Sequence, residues 1–323
     1  MKQKKILRAV KSFQQFTSKH GMKIAMLAPL FAFFIFFSYS TISALITVKS
    51  VKIPTNFKKI KFEIENYLLE HIDQATNAKL WKLKASSALV NSKYNKADIE
   101  DAFIEYYNKD SGEIEFIIRS NKAVIDKKTQ DFKLSENVRL NYTDDKYILN
   151  SGNLSFSDNS DVFEVGDSWN LKVPENGILI SGQEGNINKN FKSIDSIGEA
   201  KLEQGNYDLS AEKISIKSEN GKQTVSARGN SFLKISDKNI NLKASQIHLD
   251  AAGNLRAEGN VSVVTDKINC FANKLCVRQD ELGQIGTLTG NPHILRNGDT
   301  IFADEIIYNF ETEELTIKGH VHS

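Results

Sequence analysis

A short pattern recurs through most of the chain and limits its fold more than any other feature. An apolar residue is followed two positions later by a small residue, and then by two more apolar residues at alternate positions, as in Leu242-Lys-Ala244-Ser-Gln-Ile247-His-Leu249. The small residues lie about 30 positions apart. They are Ala85, Ser120, Ser151, Ser181, Ala211, Ala244, Ala272 and Ala303. Eight copies at this period of ~31 residues indicate a stack of similar units.

Each unit predicts a bent hairpin. The late copies continue into a second apolar stretch, such as Leu255–Val261, so one unit consists of two strands. In the first strand Leu209 and Ala211 share one face, whereas Ile214 and Ile216 share a face of opposite parity. If all four side chains point inward, the strand must bend or bulge between Ala211 and Ile214. The sequence therefore predicts an all-β fold in which bent hairpins form two facing layers.

Two interpretations of the apolar interior stay open. The first is a filled core, as in any β-sandwich. The second is a groove for acyl chains, because the inward residues of the last four units are small or branched and include few large aromatics. The candidate groove-lining residues are Leu149, Leu154, Phe156, Leu209, Ile214, Ile216, Leu242, Ile247, Leu249, Leu255 and Val261.

The beginning of the chain differs from the rest. Residues 1–23 are basic, and residues 24–48 contain no charged side chain and five phenylalanines. A membrane-spanning helix needs about 20 apolar residues, so we expect residues 24–48 to span a membrane, with the N-terminus in the cytoplasm. A cleaved signal peptide is the alternative. Residues 49–79 are a connector, part of which fits either a strand or a helix.

Charge and cysteine content exclude several classes of protein. Of 42 basic and 40 acidic residues, seven basic and no acidic ones precede residue 49, which leaves 35 against 40 in the remainder, a net charge of −5. This balance does not favour a nucleic-acid partner. The two cysteines, Cys270 and Cys276, are too few for a disulfide framework or a zinc site, and strand parity places the first inward and the second outward.

The polar residues suggest no enzyme. The sequence contains no nucleophile elbow, phosphate loop, dinucleotide fingerprint or HExxH motif. Three polar pairs are more simply solvated side chains than metal or catalytic sites. These pairs are His320 with His322, Asp158 with Asp161, and Asp304 with Glu305. We therefore predict no catalytic residue, no metal site and no cofactor.

The last strand pattern, residues 314–321, lies at the end of the stack and contains no proline to block it. An edge strand left open in this way invites strand addition by a partner.

The apolar segment of residues 24–48, the repeat that follows it and their order along the chain together resemble a known family. Trp81-Lys-Leu83-Lys-Ala85-Ser-Ser-Ala88, shortly after a single apolar span, looks like the opening of the periplasmic domain of the LptC family of lipopolysaccharide export. Residues 80–200 are the LptC-like part, and residues 201–323 resemble the related LptA/OstA-like domains, chiefly through Leu288–Tyr308 and Lys318–Val321. Two departures stand out. The β region of residues 80–323 is longer than usual for the family, as if the two parts were continuous. The unit at residues 181–190 is degenerate, which fits either an irregular loop or the junction between the two parts.

The resemblance implies a twisted β-jellyroll whose groove carries lipid acyl chains from an inner-membrane ABC transporter to a β-bridge. It implies contact with LptF/LptG-like permease β-domains at an entry edge, formed by Trp81, Leu83, Ala85 and Ala88. It also implies contact with an LptA-like bridge protein at an exit edge, formed by Leu315, Ile317 and Val321. The protein would then be a single-pass bacterial inner-membrane protein with its main domain in the periplasm. The rival hypotheses are a structural or adhesive envelope protein with a filled β core, and a carbohydrate-active β-solenoid enzyme.

Overall fold

Antiparallel strands make up nearly all of the part of the chain that the computed structural model describes, namely residues 61–91, 95–266, 268–280, 283–296, 299–312 and 314–322. The strands are β1 (Lys61–Ile72), β2 (Lys79–Asn91), β3 (Lys96–Tyr107), β4 (Ile114–Asp126), β5 (Asp131–Tyr142), β6 (Ile148–Ser157), β7 (Val162–Gly166), β8 (Trp169–Val173), β9 (Ile178–Gly182), β10 (Glu184–Asn188), β11 (Ser193–Gln204), β12 (Tyr207–Glu219), β13 (Lys222–Ile235), β14 (Ile240–Leu249), β15 (Leu255–Val264), β16 (Asn269–Asp280), β17 (Gly283–Thr289), β18 (His293–Arg296), β19 (Asp299–Phe302), β20 (Glu305–Asn309) and β21 (Leu315–Lys318). A single 3-10 turn, Pro174–Asn176, lies between β8 and β9. The prediction of an all-β fold is confirmed.

The strands bend where the sequence predicts. In β12 the pairing register shifts between Ser210 and Lys213, which confirms the bend expected between Ala211 and Ile214. Similar shifts occur in β4, β5, β11, β13, β14 and β15. Each bent strand thus contributes to two layers. We call them leaf 1, which contains Tyr207–Ser210, and leaf 2, which contains Lys213–Glu219. The strands cross the bend without leaving the ladder, so both leaves belong to one continuous 21-stranded sheet.

Left-handed residues make the bends possible. In the returning strand of a hairpin, two consecutive residues adopt positive φ angles, as at Gly259 (φ +79°) and Asn260 (φ +50°) in β15. A Cβ on Gly259 would lie 2.8 Å from the Cβ of Ser245, the residue after the small Ala244. Glycine suits this position because it has no Cβ and adopts left-handed angles readily. The Gly-Asn pairs at residues 229–230, 259–260 and 290–291 therefore mark bends.

The described chain begins with an edge strand. β1 lies within the connector of residues 49–79 and pairs along its length with β2, so this part of the connector is a strand and not a helix. The expected transmembrane helix, residues 24–48, and the basic residues 1–23 lie outside the described residues and stay predictions. Among the residues that are described, no helix is long and apolar enough to cross a membrane.

The degenerate unit at residues 181–190 is neither a loop nor a break in the sheet. It contains the end of β9 and all of β10, which are separated only by Gln183, and both strands pair with β11. On their other sides β9 pairs with β8 and β10 with β7, so the two halves of the interrupted strand continue the two leaves. The ladder therefore runs without interruption from the earlier units into the later ones.

The two cysteines are free thiols. Cys270 is buried, as strand parity predicts, and burial raises the pKa of its thiol to about 11. Cys276 is partly exposed and lies between the inward residues Leu275 and Val277. Both residues are therefore ordinary strand positions on opposite faces of the sheet.

Candidate ligand-binding cavity

A cavity of about 380 Å³ opens between the two leaves in the second half of the fold. Leaf 1 contributes Leu202, Gln204, Tyr207, Leu209, Leu233, Ile235, Ile240, Leu242 and Val263, and leaf 2 contributes Val225, Ile247, Leu249, Gly253, Leu255, Leu275, Val277, Gln284 and Phe310. Its size falls within the range of about 300–1,000 Å³ that is typical of small-molecule sites. None of these lining residues carries a charge, so the cavity suits an apolar ligand.

The cavity follows from the size of the inward side chains. Stacked β layers are about 10 Å apart, and Leu, Ile and Val from opposite leaves leave space that larger side chains would fill. Leu242 and Ile247 are buried, so the wall is shielded from solvent at its base. Towards the mouth, Leu249 and Tyr207 are 37% and 51% exposed. The space is therefore a groove with an open side.

The mouth is rimmed by hairpin turns of both leaves. Gln204 and Tyr207 stand at the leaf 1 rim, and Gln284 and Phe310 stand at the leaf 2 rim. The backbone N–H of Phe310 donates to the carbonyl oxygen of Gln284 at 2.9 Å, which fixes that turn over the opening. Apolar walls and a polar rim are the arrangement that an amphiphile requires.

The structure separates the candidate groove residues into three groups. Five line the cavity, namely Leu209, Leu242, Ile247, Leu249 and Leu255. Ile214, Ile216 and Val261 are buried in the same half of the fold but are not among the lining residues. Leu149, Leu154 and Phe156 are buried in the first half of the fold, outside this cavity, and the expectation that they line a groove stays a prediction. Phe156 packs against the rings of Phe132 and Phe163 there.

The first half of the fold is filled by aromatic rings. We call residues 61–200 the aromatic half, in which residues 92–94 are not described, and residues 201–322 the aliphatic half. Phe132 stacks on Phe156 with ring centroids 4.6 Å apart, and Trp81 meets Phe132 edge-on at 4.9 Å. Phe163 continues the cluster from Phe156, at 5.7 Å, to Phe116, at 5.5 Å. The Trp81–Phe132 and Phe116–Phe163 contacts join the two leaves through the interior.

A half-buried lysine lies at one end of this aromatic cluster. The ammonium of Lys189 is 5.4 Å from the ring centroid of Tyr106 and 5.6 Å from that of Phe156, within cation–π distance. It also donates to the carbonyl oxygen of Ser157 at 2.8 Å. Burial lowers the pKa of Lys189, an effect that nearby carboxylates, first Asp158, oppose. Burial likewise raises the pKa of Glu115, which Lys189 partly offsets.

Asp158 has a structural role in this cluster. The indole N–H of Trp81 donates to its Oδ2 at 2.9 Å, and Nε2 of His71 lies 3.9 Å from the same oxygen. Asp158 therefore joins the turn after β6 to β1 and β2. In the part of the chain that is described, no group of three His, Cys, Asp or Glu residues could hold a metal ion.

The polar pairs near the end of the chain interact with each other. Asp304 Oδ2 accepts the backbone N–H of His320 and lies 3.0 Å from its Nδ1, and these hydrogen bonds hold the pKa of Asp304 below its usual value. Glu305 pairs with Lys318 at 3.4 Å. His322 stacks on Phe302 with ring centroids 5.1 Å apart.

The two ends of the sheet differ from the expected edges in one respect. Trp81, Leu83, Ala85 and Ala88 are buried, and β2 has strand neighbours on both sides, so they do not form an edge. The edge strand is β1, which the ambiguous periodicity of the connector left unassigned.

At the other end, β21 pairs only with β20 among the described strands. Leu315 and Ile317 pack against the core, whereas Val321 is 54% exposed. The predicted exit edge is therefore a real edge of the described sheet.

Sequence reasoning missed much of the cavity wall. The missed residues are Leu202, Gln204, Tyr207, Val225, Leu233, Ile235, Ile240, Gly253, Val263, Leu275, Val277, Gln284 and Phe310. The apolar strand residues among them follow the same alternation as the predicted ones, so parity could have identified them. Phe310, Gly253 and the two glutamines lie at or near turns, where no period predicts the direction of a side chain.

Comparisons with known proteins find two similarities. Residues 179–314 match a family model described as LptA/(LptD N-terminal domain) LPS transport protein. A solved structure, LptH, the LptA homologous periplasmic component of the conserved lipopolysaccharide transport device from Pseudomonas aeruginosa, is 12% identical with a TM-score of 0.26. That match covers 45% of this chain and 85% of LptH. No curated protein matches. Residues 179–314, which contain every lining residue of the cavity, are thus similar to the LptA-like domains of lipopolysaccharide transport.

Proposed function

We propose that this protein is a membrane-anchored periplasmic component of lipopolysaccharide export. It accepts lipid from an inner-membrane ABC transporter into the cavity of the aliphatic half and passes it along a β-bridge, without catalysis or a cofactor. The observation that carries the proposal is the uncharged cavity of about 380 Å³, which lies wholly within the segment that matches the LPS transport family model.

The chemistry of the cavity suits transport. Each methylene removed from water contributes about 0.8 kcal/mol, so a few methylenes in contact with the leaves suffice to hold an acyl chain. The binding is non-directional, and the open side lets the chain leave without breaking a specific bond. A surface of this kind can take up a lipid and release it to a similar surface.

Anchoring and partners follow from the two ends of the chain. The uncharged residues 24–48 would hold the domain at the inner membrane, as in the LptC family. β1 would then face the LptF/LptG-like permease β-domains, and it replaces β2 as the candidate entry edge. β21 would pair with an LptA-like bridge protein by strand addition.

Photo-crosslinking in a Gram-negative cell that depends on this protein tests the proposal. A photoreactive amino acid at Leu242 or Leu255 faces the cavity, whereas one at Lys243 stands on the outer face of the same strand as Leu242. We expect lipopolysaccharide to be captured at Leu242 and Leu255 and not at Lys243. Equal labelling at Leu242 and Lys243 would contradict the proposal.

A second candidate function is a structural envelope protein with a filled β core. The ring contacts between the leaves of the aromatic half favour it, because Trp81 meets Phe132 at 4.9 Å and Phe116 meets Phe163 at 5.5 Å. This candidate predicts no lipid labelling at Leu242, and depletion of the protein would leave the lipopolysaccharide of the cell surface unchanged. Depletion that strips the surface of lipopolysaccharide would exclude it.

A further inference from the structure

An ion pair crosses the mouth of the cavity. Nζ of Lys238 lies 3.4 Å from Oε1 of Glu311, although the two residues are 73 positions apart in the chain. Lys238 belongs to the turn between β13 and β14, at the leaf 1 rim. Glu311 belongs to the turn between β20 and β21, at the leaf 2 rim. The pair therefore joins the two leaves on the side where the groove is open.

Both partners are attached directly to the cavity wall. Lys238 lies between Ile235 and Ile240, and Glu311 follows Phe310, all three of which line the cavity. The side chain of Glu311 lies against Gly283 of the same rim, because a Cβ added to Gly283 would be only 2.2 Å from the Cγ of Glu311. Its backbone N–H donates to Oδ1 of Asn309 at 2.8 Å, which fixes the turn. Movement of the pair would therefore change access to the cavity.

The pair is weak enough to open. The side chains of Lys238 and Glu311 are 36% and 54% exposed, so water screens their attraction. An exposed pair of this kind changes an equilibrium by about fivefold or less. It holds the rims together when nothing competes for the lysine, and another anion can displace the glutamate.

We propose that Lys238 binds the anionic headgroup of an amphiphile whose acyl chains occupy the cavity, and that Glu311 latches Lys238 across the mouth when the cavity is empty. The inference rests on the proposed function for the acyl cargo and adds the headgroup site and the latch. The headgroup takes the place of the Glu311 carboxylate beside the ammonium, and the mouth opens as it does so.

The charges around the mouth support this assignment. The lining residues carry no charge, and the polar ones at the rim, Gln204, Tyr207 and Gln284, are neutral. The ion pair with Glu311 therefore places the Lys238 ammonium at the opening, between the two rims. Asp237 lies beside Lys238 in the same turn, Asp266 lies in the neighbouring leaf 1 turn, and both add negative charge. They limit the preference for an anionic headgroup to about fivefold.

The test uses the full-length protein in nanodiscs of zwitterionic lipid and two photoreactive probes. Both probes carry the same 12-carbon chain with a diazirine, one ending in a phosphate and the other in a hydroxyl. Labelling of peptides from residues 202–310 is measured against probe concentration by mass spectrometry. The variants are Glu311→Gln and Lys238→Gln, and Lys243→Gln on the outer face is the matched control.

We expect the wild-type protein to prefer the phosphate probe by about fivefold. Glu311→Gln removes the latch, so half-saturation shifts to lower concentration for both probes while the preference remains. Lys238→Gln also removes the latch, so the hydroxyl probe binds more tightly, but the preference for phosphate disappears. Lys243→Gln changes neither quantity.

Two results would overturn the inference alone. If Lys238→Gln keeps the phosphate preference, Lys238 is not the headgroup site. If Glu311→Gln leaves both half-saturation points unchanged, the pair is not a latch. If neither probe labels the wild-type cavity, the acyl cargo itself is excluded, and the proposed function fails together with the inference.

Discussion

The aromatic and aliphatic halves share one backbone design and differ in what fills it. Both consist of bent strands whose register shifts at a small buried residue, for example Ser120 in β4 and Ala211 in β12. The five largest fully buried side chains all lie in the aromatic half. They are Trp81, Trp169, Phe116, Phe132 and Phe163. The cavity lies entirely in the aliphatic half.

The two halves share the arrangement of the backbone but differ in the space that it leaves for a ligand. The bends set the distance between the leaves, whereas the inward side chains decide whether the space between them is closed. Trp81 of leaf 1 and Phe132 of leaf 2, with ring centroids 4.9 Å apart, meet across the gap and occupy it. Facing Leu and Val residues leave it open. One β scaffold can therefore carry a rigid support and a binding site in series.

The largest expected effect is the loss of a ring from the filled interior. Phe132 is fully buried between Trp81 and Phe156, so Phe132→Ala should lower the free energy of unfolding by about 3–5 kcal/mol. Leu242→Ala should lower the free energy of unfolding by only about 2 kcal/mol, because one side of Leu242 already faces the cavity. Urea denaturation followed by circular dichroism measures both.

Tryptophan fluorescence locates the damage, since the two tryptophans, Trp81 and Trp169, both lie in the aromatic half. The Phe132→Ala variant should lose its fluorescence signal at lower urea concentration than the wild-type protein. A smaller cost for Phe132→Ala than for Leu242→Ala would contradict the filled-versus-open comparison.

Enlarging a leucine tests the same comparison in the opposite direction. Leu134→Phe adds volume to a closed core and should cost about 1–3 kcal/mol in the free energy of unfolding. Leu242→Phe adds the same volume beside the cavity and should cost less than about 1 kcal/mol. It should also reduce labelling of the cavity by the photoreactive probes. Similar costs at the two positions would mean that the cavity cannot accept a larger side chain.

The bends provide a third test. Gly259→Ala and Gly221→Ala both place a side chain at a positive φ. For this reason each should lower the free energy of unfolding by about 1 kcal/mol. Only Gly259 meets a neighbour, Ser245, whereas Gly221 faces open space, so Gly259→Ala should cost about 1 kcal/mol more in denaturation. The aromatic half makes the corresponding bend with Glu136 at φ +62°. Equal costs would show that the bend at Gly259 tolerates a Cβ as well as the open turn at Gly221 does.

The bends were predictable because parity is a local property of the sequence. Leu209 and Ala211 on one side and Ile214 and Ile216 on the other require a register shift, and β12 has one. The all-β class and the exposed last edge follow from the same alternation. Most strand residues of the cavity wall are predictable from this alternation, because a side chain that points inward from either leaf faces the groove.

The contents of the interior could not be predicted in the same way. Leu149 and Leu154 are buried like Leu242 but do not line the cavity, and in their half of the fold rings distant in sequence, such as Trp81 and Phe132, meet. The edge at β1 was missed because Tyr67–Ile72 fits a helix as well as a strand. The Lys238–Glu311 pair joins two turns 73 residues apart, and no period connects turns. These features depend on tertiary contacts.

The smallest expected effect concerns charge at the end of the aromatic half. Burial raises the pKa of Glu115, so the folded protein binds this proton more tightly than the unfolded chain does. Stability is therefore lost as the pH rises from 4.5 through the raised pKa, and the cost is fully present above that pKa. Glu115→Gln should stabilise the protein at pH 7 by a few tenths of a kcal/mol, because partial exposure screens the effect.

The gain from Glu115→Gln should shrink as the pH falls and vanish below pH 4.5, where the carboxyl is protonated in both states. Urea denaturation at pH 7 and at pH 4 measures it, with the exposed Glu113→Gln as the matched control. An equal gain at both pH values would mean that the change acts through packing and not through charge. A gain confined to pH 7 would show that the filled interior, unlike the uncharged cavity wall, carries an electrostatic cost at its end.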